Sequence, residues 1–146
     1  NIYTPKIKSE IKIPIFQTKE FFSKEKINSD KIFMGSEYYL LNIWSSWCEP
    51  CKNESEYLLE LKKNTPVMMI GINYKDKKKN ALNFLKLYGD PFEQIFVDKQ
   101  GLISINFGAY GVPETFLINN DNKVLKKYIG PLNDEDVYEI KKITKN

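Results

Sequence analysis

Histidine is absent from this chain of 146 residues, and cysteine occurs only twice, at Cys48 and Cys51. Missing too is any run of about 18 apolar residues, the length a membrane-spanning helix needs. No internal repeat, low-complexity tract or Gly/Ser-rich linker divides the sequence, so residues 1–146 read as one domain, with an extended lead-in over about the first dozen. Each absence excludes something. A structural zinc site draws four ligands from Cys, His and carboxylate, and copper delivery usually needs imidazole or Met as well, so a metal centre lacks its donors. Covalent haem attachment requires C-x-x-C-H, and here Lys52 follows Cys51. The chain opens at Asn1 with no signal-peptide pattern, and the expectation is that a leader or membrane anchor has been removed.

What is present suits a soluble globular fold: 42% hydrophobic residues, 28% charged residues and a net charge of +3. The one dense basic run, Lys75–Asp76–Lys77–Lys78–Lys79, lacks the interleaved aromatics of a nucleic-acid surface, so no nucleic acid is expected as a partner. It reads as a solvated loop leading into a helix.

Hydrophobic rhythm lays out the elements. Residues 15–22 suggest an edge strand or turn. Tyr38–Trp44 is a short apolar run of buried-strand length, and 67–72 is a second. Between them Tyr57, Leu58, Leu59 and Leu61 recur at helical spacing until Asn64–Thr65–Pro66 stops the helix. Residues 81–88 form another helix, ended by Gly89–Asp90–Pro91. A third strand covers 95–97, with a one- or two-turn helix near 102–106. Strands at 114–118 and 123–129 flank the polar string Asn119–Asn120–Asp121–Asn122, which is hairpin chemistry. Asn133 can cap a last helix whose first turn carries Asp134, Glu135 and Asp136. Strands alternating with helices and closing in a hairpin imply an α/β fold, a central mixed sheet with helices on both faces.

The cysteines lie in "SSWCEPCKNE", residues 45–54. As a structural staple the pair would be poor, because a loop this short removes little entropy from the unfolded chain. Two unrelated core cysteines are the other bland reading. A redox pair fits the position better. Cys48 follows a strand and starts a helix, where unpaired N–H groups and the helix dipole favour thiolate. Cys51, one turn in, is sheltered and can resolve a mixed disulfide. Pro50 suits the first helical turn, and Trp44 and Trp47 offer apolar cover to an otherwise exposed sulfur. Glu49 opposes the thiolate slightly through like charge, screened by solvent. Glu54, one turn after Cys51, is either a proton acceptor near the pair or a solvated helix charge.

"LLNIWSSWCEPCKNE" resembles the active-site strand, turn and helix of the thioredoxin-like family, in its membrane-tethered TlpA/ResA/CcmG branch. "IGINYKD", residues 70–76, and "FGAYGVPETFLI", residues 107–118, are most similar to the CcmG group of cytochrome c maturation proteins, also called DsbE. The resemblance runs from Ile13 to the C-terminus. It implies a thioredoxin-like fold, a redox disulfide between Cys48 and Cys51, no cofactor, and a cis Val112–Pro113 peptide facing the sulfurs. It further implies that Trp47, Glu49, Pro50, Val112, Pro113 and Glu114 contact substrate, that Glu54 is the acid under the active-site helix, and that Asp98 is an acid near the site. For Asp98 a plain turn role in Asp–Lys–Gln–Gly stands as the alternative.

The role implied is reduction of the disulfide of apocytochrome c, or of a thiol-containing maturation partner. Electrons would come from a membrane thiol reductase, on the periplasmic side of the bacterial inner membrane. Rivals are a broader ResA/TlpA-like extracytoplasmic reductase and a non-catalytic binding module on a thioredoxin scaffold. A peroxidase is disfavoured by the nearby second cysteine and the lack of a Thr-x-x-Cys context. Many members of the group carry Pro-Thr between the cysteines, whereas this chain has Glu49–Pro50. That dipeptide tunes potential, and about 30 mV corresponds to about 1.4 kcal/mol for a two-electron couple.

Overall fold

The computed structural model describes residues 11–145. Most of the expected lead-in, including Pro5, lies outside the described residues. Its end is placed: Ile13 N donates to Asn122 O and Val124 N to Ile11 O, laying residues 11–13 along the last hairpin.

Seven strands form one sheet: β1 (Gln17–Glu20), β2 (Lys26–Asn28), β3 (Tyr38–Trp44), β4 (Met68–Tyr74), β5 (Gln94–Asp98), β6 (Glu114–Asn119) and β7 (Val124–Ile129). Their spatial order is β2-β1-β5-β4-β3-β6-β7. The β3–β4 and β4–β5 pairs are parallel, and the others antiparallel, so the sheet is mixed as expected. The helices are α1 (Glu49–Asn53), α2 (Ser55–Asn64), α3 (Lys78–Tyr88), α4 (Leu102–Asn106) and α5 (Asp134–Thr144).

Period-2 alternation along the central strands gives the sheet two apolar faces. Leu40 and Trp44 of β3 join Cys51, Leu58, Phe84 and Ile140 on the face covered by α1, α2, α3 and α5. Leu41 and Ile43 point the other way, to Ile70, Ile72, Phe116 and Ile103 of α4. Gly71 of β4 permits close packing on the first face. A Cβ there would stand 2.9 Å from both the Phe92 ring and Trp44 Nε1.

The anticipated hairpin and cap are present. Asn119 Oδ1 accepts from Asp121 N and Lys123 N, at 2.9 and 3.0 Å, and Asn122 turns the chain at φ +60°. Asn133 and Asp136 cap α5 reciprocally, each side chain accepting from the other's N–H.

Two features differ from the sequence reading. Strand β2 was not foreseen, because the turn before it contains no Gly, Asn or Asp and instead places Lys24 at φ +64°. The helix after the cysteines is not continuous. It breaks at Glu54 (φ −94°, ψ −2°) into α1 and α2. Ser55 Oγ donates back to Cys51 O at 3.2 Å, a contact that bends helices, while the Glu54 side chain is drawn into the protein interior.

Candidate active site

Strand β3 runs directly into the cysteine segment, and its register places β6 beside it, with Ile43 opposite Glu114. The residues just before Glu114 therefore reach the same end of the sheet as Ser45–Cys48. Here the Val112–Pro113 peptide is cis, as expected. Cys48 and Cys51 are joined in a disulfide. Cys48 is the N-cap of α1, with Pro50 in the first turn, and its Sγ accepts from Cys51 N at 3.3 Å. That N–H points at the sulfur that would carry negative charge in the reduced protein, which favours thiolate over thiol there.

Cys48 is only 4% exposed and belongs to a buried apolar cluster, so the sulfur is sheltered by its neighbours. Trp44 lies in the same buried cluster as Cys48 and Cys51 and lines a small pocket with Cys51. It is a core residue under the helices, its ring stacked on Phe84 and Phe92 at centroid distances of 5.3 and 5.8 Å. Trp47 is 58% exposed; its Nε1 donates to Lys75 O at 2.9 Å, and its ring centroid stands 6.2 Å from that of Tyr74. Glu49 and Pro50 are exposed between the sulfurs. Glu49 pairs with Lys52 at 3.1 Å, and this contact, with the coulombic attraction that accompanies it, raises the Lys52 pKa. The pairing offsets part of the charge by which Glu49 opposes a Cys48 thiolate.

Glu54 is fully buried, and a solvated helix charge is excluded. Its Oε2 accepts from Asn42 Nδ2 at 2.9 Å and its Oε1 from Leu132 N at 3.0 Å. Burial pushes its pKa up to about 7, although both hydrogen bonds pull the other way. Asn42 Nδ2 also donates to Thr115 Oγ1, and Asn42 lines one small pocket with Cys51 and Ser55 beneath the disulfide. Asn42 and Thr115 were not singled out from sequence. The readable signal was an amide inside the apolar run Tyr38–Trp44, since a polar group in a buried strand needs a partner.

Two expected site acids are turned elsewhere. Asp98 is at the sheet's cysteine end but two strands away from β3. Its carboxylate accepts from Ile103 N, Ser104 N and Ser104 Oγ, holding the start of α4. These bonds match the turn role that stood as the alternative for Asp98. Glu114 was expected to contact substrate, yet its side chain is buried. Oε2 accepts from Tyr110 N (2.6 Å) and Gly111 N (3.2 Å), and Oε1 lies 3.5 Å from Lys127 Nζ. Lys127, also missed, sits 4.6 Å from the Tyr110 ring centroid and donates to Gly108 O. Together the pair shapes the loop that presents Val112 and Pro113.

A sheet of this order, a C-x-x-C disulfide after the inner strand β3 and a cis-proline turn beside it define a thioredoxin-like protein. More narrowly, the chain belongs to the redoxin family, whose pattern matches residues 11–143. It is 34% identical over 123 residues to the thiol:disulfide interchange protein DsbE of Tatumella citrea, covering 84% of this chain and 66% of that one. To the thiol:disulfide interchange protein CycY of Rhizobium leguminosarum it is 42% identical over 92 residues, covering 63% and 50% respectively. The chain thus spans two thirds or less of the length of these relatives. In fold it is similar to a secreted thiol-disulfide isomerase from Corynebacterium glutamicum, with a TM-score of 0.73, 19% identity and coverage of 96% and 93%.

Proposed function

We propose that this protein is a reducing thiol–disulfide oxidoreductase of cytochrome c maturation. The observation that carries the reading is the Cys48–Cys51 pair at a helix start, its outer sulfur accepting a backbone N–H, beside the cis Val112–Pro113 turn. The relatives named DsbE and CycY support the assignment to that pathway. The substrate is the disulfide of apocytochrome c or of a thiol-containing maturation partner. Electrons return from a membrane thiol reductase, on the periplasmic face of the inner membrane, where an N-terminal anchor tethers the full-length protein. Among the described residues no helix is long and apolar enough to cross a membrane.

The chemistry takes two displacements. Cys48 thiolate attacks one sulfur of the partner's disulfide; that S–S bond breaks, a Cys48–partner bond forms, and the released thiolate takes up a proton. Cys51, once deprotonated, attacks Cys48 Sγ. The mixed disulfide breaks, the partner leaves with both sulfurs reduced, and the Cys48–Cys51 bond carries away the two electrons' worth of oxidation. Glu54 is the proton acceptor for Cys51: a carboxyl with its pKa near 7 can take up and release a proton at neutral pH. Trp47 and the Tyr110–Pro113 loop form the two walls between which the partner lies. The half-buried Val112 forms no backbone hydrogen bond with another described residue, so its N–H and C=O are available to an extended partner segment.

Trapping tests this directly. Cys51→Ala should accumulate a covalent complex with an apocytochrome peptide carrying an oxidised Cys-x-x-Cys-His, visible on non-reducing gels. If only Cys48→Ala traps the peptide, the nucleophile and resolving roles are exchanged; if neither does, the reading fails.

A further inference from the structure

The segment before the nucleophile is held from a side of the site that the mechanism above does not use. Asp76, in the loop between β4 and α3, places four hydrogen bonds through one carboxylate. Its Oδ2 accepts from Ser46 N at 2.7 Å and from Asn73 Nδ2 at 3.0 Å, while Oδ1 accepts from Ser46 Oγ at 2.7 Å and Lys77 N at 2.8 Å. The flanking residues of the same loop reinforce the contact. Ser45 Oγ donates to Tyr74 O, and Trp47 Nε1 to Lys75 O. Three consecutive residues, Ser45, Ser46 and Trp47, are thus tied to residues 74–76, and the next residue is Cys48. Cys48 N in turn donates to Ser45 O at 3.3 Å, closing the turn. Lys75 turns the loop at φ +44°, a backbone region that non-glycine residues enter rarely and that concentrates at functional sites.

We propose that Asp76 is a positioning residue for the redox pair: its carboxylate clasps the Ser45–Trp47 turn and thereby stabilises the Cys48–Cys51 disulfide over the dithiol. Two effects act in this direction. Holding the turn rigid keeps Cys48 Sγ where Cys51 can reach it, which raises the effective concentration of one sulfur at the other. A carboxylate bonded two residues before Cys48 also disfavours a second negative charge there, so it raises the energy of the reduced thiolate form. The clasp is independent of Glu54, which lies beneath the helix and bonds Asn42 and Leu132 instead. It is also distinct from the Glu114–Lys127 pair, which shapes the opposite wall. The inference rests on the Cys48–Cys51 pair being redox-active.

The test is equilibration of the purified protein with glutathione buffers of graded thiol-to-disulfide ratio, the protein dithiol being counted by alkylation and mass. Two glutathione thiols reduce the Cys48–Cys51 bond and leave as one glutathione disulfide, so the ratio at half-reduction reports the pair's stability. Asp76→Asn should weaken the disulfide by about tenfold in this equilibrium, as loosened geometry and a lost charge combine. Ser46→Ala removes only the hydroxyl bond and should shift it the same way by less. Asp98→Asn is the control, a buried carboxylate at the same end of the sheet that also organises backbone but does not touch the cysteine turn. It should lower thermal stability and leave the half-reduction ratio in place. A wild-type pair that does not exchange overturns the redox assignment itself. A wild-type pair that exchanges, with neither Asp76→Asn nor Ser46→Ala shifting the ratio, overturns the clasp alone. So does Asp98→Asn weakening the disulfide as much as Asp76→Asn, since the effect would then be general loosening.

Discussion

At the scale of single residues, Glu54 shows how burial makes a common surface amino acid hold its proton toward neutral pH. Its folded pKa of about 7 exceeds the ordinary 4.5, so the folded protein holds a proton that the unfolded chain has lost. The sign follows from that difference. Below about pH 4.5 the carboxyl is neutral in both states and burial carries no ionisation penalty. Between 4.5 and 7 stability falls as pH rises, and above 7 the loss levels off. The interval corresponds to about 3 kcal/mol at most. Urea unfolding of the oxidised protein between pH 5 and 8 should show this decline, and Glu54→Gln should remove that part of it. Equal pH slopes in the two proteins would mean that Glu54 is not the group titrating. Cys48, Cys51 and Pro50 were legible in sequence because spacing alone carried their meaning. The amide of Asn42 in a buried strand signalled a need for a partner. That Thr115, 73 residues on, would be one was not legible, because only the strand pairing brings them together.

At the scale of elements, the two walls beside the disulfide are loops held by carboxylates, and each carboxylate serves its own loop. Glu114 organises residues 108–111 through two backbone N–H groups and Lys127. Glu114→Ala strands those donors and leaves Lys127 without its carboxylate, which should cost about 1–3 kcal/mol of stability. It should also lower kcat/KM toward the oxidised Cys-x-x-Cys-His peptide while leaving the rate of Cys48 alkylation in the reduced protein unchanged. A change in alkylation with kcat/KM intact would place Glu114 on the cysteine side of the site instead. The helix after the cysteines teaches a related lesson. Periodicity through Tyr57, Leu58 and Leu61 marks α2 correctly. It does not reveal the break at Glu54, because the break is set by what the side chain meets inside the protein.

At the scale of the whole molecule, one sheet separates two apolar layers, so neither layer is complete without the strands that serve both. Ile70 belongs to one layer and is fully buried, while Trp44 reports on the other. Ile70→Ala should cost about 2–5 kcal/mol. Tryptophan fluorescence and far-UV circular dichroism should lose that stability in one coincident transition, as a single cooperative domain requires. Separate midpoints would divide the molecule into independently unfolding halves.

The sequence by itself determined the α/β class, the central strands, the hairpin at Asn119–Asn122, the cap at Asn133, and a cysteine pair with no histidine to make it a metal site. Those features are local: alternation, helical spacing, turn chemistry and residue counts act within a few positions of each other. Tertiary structure alone decided that Asp98 supports α4, that Glu114 faces its own loop, and that Asp76 grips the turn before Cys48. A carboxylate's role depends on which donors the fold brings within about 3 Å of it, and sequence spacing carries no record of that distance.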